Sequence, residues 1–329
     1  MMRLPKFEYR TPQTIAEAVK VMADVGPDAQ FVAGGTDLYP NMKRRQQTPK
    51  TVISVMRLNG LNQIVGDGGN GLQIGASVTL AGVCENETIK RAYPVVAQAA
   101  RTISTPILRN MGTIGGNLLL DTRCNYYDQN YEWRQAIDFC MKKDGVICWV
   151  APGSPKCLAV QSADSVPILI ALSARAVLAS PEGEREVPVE DLYANDGIHY
   201  LTKRSEELLT EIRVPKSEGW RTAYRKLRRR GSFDFPVLSV GVAVRLEGER
   251  VAEARIVLGA VASAPVRATR AEAILAGSSF DMAAITEAAQ AAAQPSKPMD
   301  NTDFSFLWRK EMTARWVSQA LRGAASKAV

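Results

Sequence analysis

The stretch DFCMKKDGVICWVAPGSPKC, residues 138–157, places Cys140, Cys148 and Cys157 within twenty positions, and Cys124 stands a short way upstream. Thiolates are soft, anionic ligands, so four of them in one segment are suited to a tetrahedral metal ion or to a cubane whose four irons each take one sulfur. Structural zinc usually draws on two close CxxC pairs, whereas the gaps here are fifteen, seven and eight residues and no such pair exists. A secreted disulfide framework is not expected where no export signal is evident. Spacing alone leaves unligated thiols, zinc and an iron–sulfur cluster open. The fifth cysteine, Cys84, has helical spacing with Leu80 and reads as a small buried apolar side chain.

Two glycine-rich stretches offer different chemistry. AGGTDLYPN at 33–41 follows a short strand pattern, and its adjacent glycines allow close backbone approach while Thr36 offers a hydroxyl. Gly112-Thr-Ile-Gly-Gly-Asn117 repeats these features about eighty residues later. Two such loops can hold the two ends of one long anionic ligand. A third stretch, GDGGNG at 66–71, matches a dinucleotide fingerprint, but a strand pattern follows it instead of a helix, so it reads as a hairpin turn.

The elements that must position these groups alternate without strict βαβ order. Thr14 and Glu17 have capping-box spacing, and Ile15, Ala18, Val19 and Met22 predict a helix running up to Gly26. Strands are predicted at 30–33, 51–55, 61–65 and 72–78, and a helix over 94–104. From 122 to 161 periodicity disappears, which predicts an insertion folded around something other than its own apolar side chains. Regular patterns resume at 167–180, 206–214 and 220–228, followed by a hairpin about Glu247 and Gly248 and three Ala-rich helices. The expectation is an α+β protein with a boundary near 215–219.

With 46% hydrophobic residues in 329, the chain can bury a substantial core in two or more domains. No stretch approaches eighteen apolar residues and the start lacks a signal-peptide pattern, so a soluble, cytoplasmic protein without membrane insertion is expected. The net charge of +7 is densest in RKLRRR at 225–230, which reads as a solvated or anion-docking face; no aromatics interleave it, and nucleic acid is not an expected partner. The single histidine, His199, disfavours His-based metal sites and a Ser-His-Asp system.

AGGTDLYPNMK at 33–43 and RNMGTIGGNL at 109–118 resemble the paired flavin motifs of the FAD-binding subunits of the xanthine dehydrogenase family of molybdenum hydroxylases. The resemblance covers nearly the whole chain. It implies a two-subdomain FAD-binding domain of the PCMH/VAO type over 1–218, with subdomains 1–57 and 58–218, and a CO dehydrogenase flavoprotein-like C-terminal domain over 219–329. It also implies FAD contacts from Phe31, Val32, Ala33, Gly34, Gly35, Thr36, Asp37 and Leu38, from Ile103, and from Thr113, Ile114, Gly115, Gly116 and Asn117. Asp121 and Asn125 are carried over with them, and Asp164 lies at a position that contacts cofactor in relatives. Lys226 matches a position where the family often sets a basic residue beside the flavin; a cation near the N1/C2=O end favours the anionic reduced ring.

Flavoprotein subunits of this family typically lack a segment like 122–161. The exception is the 4-hydroxybenzoyl-CoA reductase branch, to whose β subunit DTRCNYYDQNYEWR and the three later cysteines are similar. That similarity implies a [4Fe-4S] cluster on Cys124, Cys140, Cys148 and Cys157, with Lys142, Lys143 and Lys156 offsetting charge and Trp133 and Trp149 shielding it. It further implies an electron-transfer subunit in a heterotrimer, single or doubled by two-fold symmetry, with a ferredoxin donor. Its partners would be a small subunit with two [2Fe-2S] clusters and a large molybdopterin subunit that removes the phenolic hydroxyl of 4-hydroxybenzoyl-CoA. The alternative is an oxidising molybdenum hydroxylase acting on a purine, aldehyde or N-heterocycle. In either case no catalytic residue is expected on this chain.

Overall fold

In the computed structural model, which describes residues 3–326, three sheets are arranged along the chain. The first is parallel, with Thr51–Ser54 between Glu8–Arg10 and Ala29–Val32. The helix Ile15–Val25 covers it, burying Ala18, Val19 and Met22 as the sequence period requires. Thr14 caps that helix by accepting from the Glu17 amide, and the Glu17 carboxylate accepts from the Gln13 amide rather than from Thr14. Such caps contribute about 1 kcal/mol.

The second sheet has five antiparallel strands in the order Ile64–Val65, Leu72–Gly75, Leu208–Val214, Arg175–Ser180, Gly183–Pro188. The GDGGNG stretch is the turn joining its first two strands, with Gly66, Gly68 and Gly71 at positive φ. The strand expected over 61–65 begins only at Ile64, because Leu58 and Leu61 turn inward and are 1% exposed. The strand expected over 72–78 stops at Gly75. Beyond it the carbonyls of Ala76 and Val78 accept from the Gly115 and Ile114 amides, so this backbone serves the second glycine stretch rather than a sheet.

The third sheet, antiparallel, runs Val266–Arg267, Arg250–Gly259, Leu238–Glu247, Trp220–Leu227, with the hairpin where the sequence predicts it. The helices Thr269–Leu275, Met282–Ala292 and Phe306–Ala325 bury their alanine faces on one side of this sheet. On the other side Tyr224, Ala243 and Val257 join the core of the middle region, so the C-terminal sheet and the FAD-type region share one interior. Among the described residues no helix is long and apolar enough to cross a membrane. Of the basic run, Arg229 and Arg230 are exposed and paired with Asp303 and Asp234, whereas Arg225 and Arg228 are half-buried and the Lys226 side chain is buried, so only its end is a solvated face.

Candidate functional site: two glycine loops and a four-thiol cavity

The parallel strand Ala29–Val32 delivers 33–37 to the carboxyl end of its sheet, where an open α/β sheet offers space to ligands. There it meets the second glycine stretch, which is a helical turn, Ile114–Leu118, capped by Thr113 Oγ1 accepting from the Gly116 amide at 3.0 Å. The two stretches touch backbone to backbone. A Cβ at Gly34 would sit 1.7 Å from the Met111 carbonyl oxygen, so only glycine permits the approach. Gly35 adopts φ +69°, a conformation glycine reaches without strain. Thr36 and Gly116 remain exposed while Thr113, Ile114 and Gly115 are buried, so the junction opens to one side.

The other predicted flavin residues are distributed around this junction. Phe31 and Ala33 are half-buried, and Val32, Leu38, Ile103 and Ile114 are packed into the interior. The Asn117 carboxamide oxygen accepts from the Ser165 amide and hydroxyl at 3.1 and 2.6 Å, which ties the helical turn to the segment before Val166–Ala171. Asn125 is exposed and donates its amide to the Asn301 carbonyl. Asp37 pairs with Arg123 and accepts from Asn41; burial pushes its carboxyl up, and the Arg123 charge pulls the other way.

Lys226 is committed to the protein itself. Its ammonium lies 3.0 Å from both oxygens of Asp164 and donates to the carbonyls of Thr102 and Asp234 at 2.9 and 2.7 Å. Burial pushes Lys226 down and Asp164 up, each opposed by the partner's charge. Tyr224 donates to the same carboxylate at 2.8 Å. The charge predicted to serve a flavin ring is thus matched within the chain.

The insertion is closed at its neck by Arg123 and Val160, which exchange amide–carbonyl bonds of 2.8 and 2.7 Å. Inside, one short helix, Tyr131–Ala136, is the only regular element among the described residues of this segment. The fully buried Arg134 anchors it, donating to the carbonyls of Arg44 and Arg45 at 3.2 and 3.0 Å, just beyond the first glycine loop. Turns follow three of the cysteines directly: the carbonyls of Cys124, Cys140 and Cys148 accept from amides three to five residues on. Asp138, Phe139 and Asp144, flanking Cys140, have φ between 57° and 69°, a costly region for non-glycine residues that clusters at functional sites.

These turns bring Cys124, Cys140, Cys148 and Cys157 to the wall of one cavity, each at most 7% exposed. The cavity is small, about 10 Å³. The thiols sense one another: Cys124 is pushed up to about 12 and Cys157 to about 11, by burial first, with neighbouring cysteines adding to it. Buried thiols in this condition keep their protons until a cation displaces them. Among the described residues no group of three or more His, Cys, Asp or Glu side chains is arranged to hold a metal ion.

Trp149 lines this cavity and donates its indole N–H to the Phe139 carbonyl, whereas Trp133 is 40% exposed and does not line it. Of the three lysines, Lys142 alone lines the cavity; Lys143 turns to Asp144 and Lys156 to the Asn195 carbonyl. Two contributors carry no sequence signal. Gly197 lies against the cavity, where a Cβ would be 2.6 Å from Cys157 Sγ. Arg123, half-buried, bridges Asp37 of the first glycine loop to Asp128 of the insertion, with its guanidinium 3.9 Å from the Phe235 ring centroid. The Ala159 amide donates to Cys157 Sγ at 3.4 Å, the kind of bond that stabilises charge on a thiolate. Cys84 is buried and outside this group.

Two glycine loops in backbone contact, between a parallel and an antiparallel sheet and followed by an α+β third domain, define a flavoprotein class, and comparison with known proteins makes it specific. The model of the FAD binding domain in molybdopterin dehydrogenase matches residues 5–217, and that of the CO dehydrogenase flavoprotein C-terminal domain matches residues 222–324. The chain belongs to this family of FAD-binding medium subunits. It is 32% identical to the aldehyde oxidoreductase FAD-binding subunit PaoB of Escherichia coli K12, over 95% of this chain and 98% of that one. It is 29% identical to the carbon monoxide dehydrogenase medium chain of Hydrogenophaga pseudoflava, over 97% of each. A solved structure of the carbon monoxide dehydrogenase from that organism superposes with a TM-score of 0.82 at 29% identity, covering 100% of both chains.

Proposed function

We propose that this chain is the electron-transfer flavoprotein of a molybdenum hydroxylase complex, holding FAD where 31–38 and 113–117 meet. The observation that carries the reading is the Gly34–Met111 backbone contact, which makes one continuous site of two phosphate-type loops inside a family named for FAD binding. Its partners would be a large molybdopterin subunit that works on the substrate and a small subunit with two [2Fe-2S] clusters. Relatives named for carbon monoxide, aldehyde and xanthine favour an oxidising enzyme acting on a small molecule of that kind. Reductive dehydroxylation of 4-hydroxybenzoyl-CoA, with ferredoxin as donor, finds no support among those relatives.

The four-thiol cavity is the specific observation that keeps the reductase as a second reading, and we propose that it holds a [4Fe-4S] cluster. Cys124, Cys140, Cys148 and Cys157 would be its ligands, Lys142 its nearest counter-charge, and the Ala159 amide a donor to one ligand sulfur. When bound, FAD exchanges electron pairs for single electrons and a cluster passes electrons singly. The chain's own work is to fix both groups, exclude water and set their potentials by charge and hydrogen bonds. Anaerobic purification with assays for FAD, iron and acid-labile sulfide tests both halves. One FAD with four irons and four sulfides per chain is expected; FAD without sulfide refutes the cluster, and absence of flavin refutes the first reading.

A further inference from the structure

Lys142 differs from every other cation near the cysteines in having no free donor. Its side chain is 6% exposed, and its ammonium donates to Asp121 Oδ1 at 2.8 Å, Thr122 Oγ1 at 2.8 Å and the Gly197 carbonyl at 2.7 Å. The Tyr127 and Tyr200 ring centroids lie 4.8 and 5.3 Å away. An ammonium has three protons, and here each has an acceptor, so the charge is held at one place. None of the acceptors belongs to its own turn. Asp121 and Thr122 follow the Ile114–Leu118 helix of the second glycine stretch, and Gly197 backs Cys157.

Asp121 in turn accepts from Gln47 at 3.1 Å and from Tyr127 at 3.0 Å, the first just beyond the glycine-loop helix Leu38–Lys43 and the second on the cavity wall. One buried ion pair therefore joins the segments that follow the two glycine loops, at Gln47 and at Asp121 itself, to the wall of the four-thiol cavity. Water is largely absent around it, so both charges act on the cavity with little screening.

We propose that Lys142 and Asp121 form an electrostatic coupler between the two cofactor positions, in which Lys142 raises the reduction potential of the group held by the thiolates and Asp121 limits that rise. This rests on the reading of the cavity as a cluster site. Each electron entering a cluster adds a negative charge, which a fixed ammonium favours and a fixed carboxylate opposes. Removing the two partners singly must therefore shift the potential in opposite directions, which a merely structural pair does not do.

The test is an anaerobic redox titration of the intact purified complex, following the cluster by electron paramagnetic resonance in wild type, Lys142→Met and Asp121→Asn. Lys142→Met is expected to weaken reduction at least tenfold, a fall of about 59 mV for a one-electron couple, and Asp121→Asn to move the midpoint upward. Shifts of the same sign, or unchanged midpoints in variants that keep their clusters, overturn the coupler. Should Lys142→Met lose its cluster, the direction of the Asp121→Asn shift decides alone: an unmoved or lowered midpoint overturns the proposal. A wild-type protein without iron refutes the cluster reading itself, and the coupler falls with it; iron present with unmoved midpoints refutes the coupler only.

Discussion

Replacing Gly34 by alanine puts the contact between the two glycine loops to a quantitative test. The added methyl carbon would lie 1.7 Å from the Met111 carbonyl oxygen and 2.4 Å from its carbon, whereas real Cβ atoms essentially never approach within 3.0 Å. The loops must separate by at least 3.0 − 1.7 = 1.3 Å, and because the opposing atoms are backbone, no rotamer change relieves it. Overpacking of this kind costs about 1–3 kcal/mol. If the loops part, that cost appears as roughly 5- to 150-fold weaker FAD binding; if they stay together, it appears as lost stability of the same size. Flavin titration followed by quenching of FAD fluorescence, together with urea unfolding of the apoprotein, reads both quantities. Gly231→Ala is the control, since a Cβ there meets nothing within 4 Å. A Gly34→Ala protein with wild-type FAD affinity and wild-type stability would show that these loops do not meet as described.

Other outcomes follow from the same geometry. Gly197→Ala drives a methyl carbon to 2.6 Å from Cys157 Sγ and 2.7 Å from the Ala159 amide nitrogen, so iron content should fall although all four thiols remain, while FAD stays bound. Cys148→Ser should abolish acid-labile sulfide, whereas Cys84→Ser should leave it unchanged, because Cys84 stands apart from the cavity. Asp234, in the loop that also binds Lys226 through its carbonyl, is pushed up by burial but held below the usual carboxylate range by bonds from Arg230. A lowered folded pKa means that its stabilisation is present above the unfolded value and is lost as pH falls through the folded one. The urea midpoints of wild type and Asp234→Asn should therefore differ at pH 6 and converge toward pH 3. The gap is expected to stay under about 1 kcal/mol because Arg230 is exposed to solvent.

Much of this protein is legible in its sequence because the relevant physics is local. The Thr14 cap and the spacing of Ala18, Val19 and Met22 set the first helix from residues within it and beside it. Gly66, Gly68 and Gly71 made the false dinucleotide match a turn, since the residues after it alternate like a strand. Loss of periodicity over 122–161 marked a segment with a single short helix, and its four cysteines supplied soft ligands without naming what they hold. What stayed hidden depends on partners far away in sequence. The strand at 72–78 stops short because Ala76 and Val78 give their carbonyls to residues 114 and 115. The ammonium of Lys226 could not be known to face Asp164, 62 positions distant, and Lys142 could not be separated from Lys143 and Lys156 until Asp121, Thr122 and Gly197 were placed around it. Residue types and short-range spacing thus determined which groups were available to meet a flavin and which thiols were available as ligands. Which of them meet, which charges are already cancelled and how close two backbones come were decided by tertiary structure, because Coulombic pairing and steric contact act through space and leave no period in the chain.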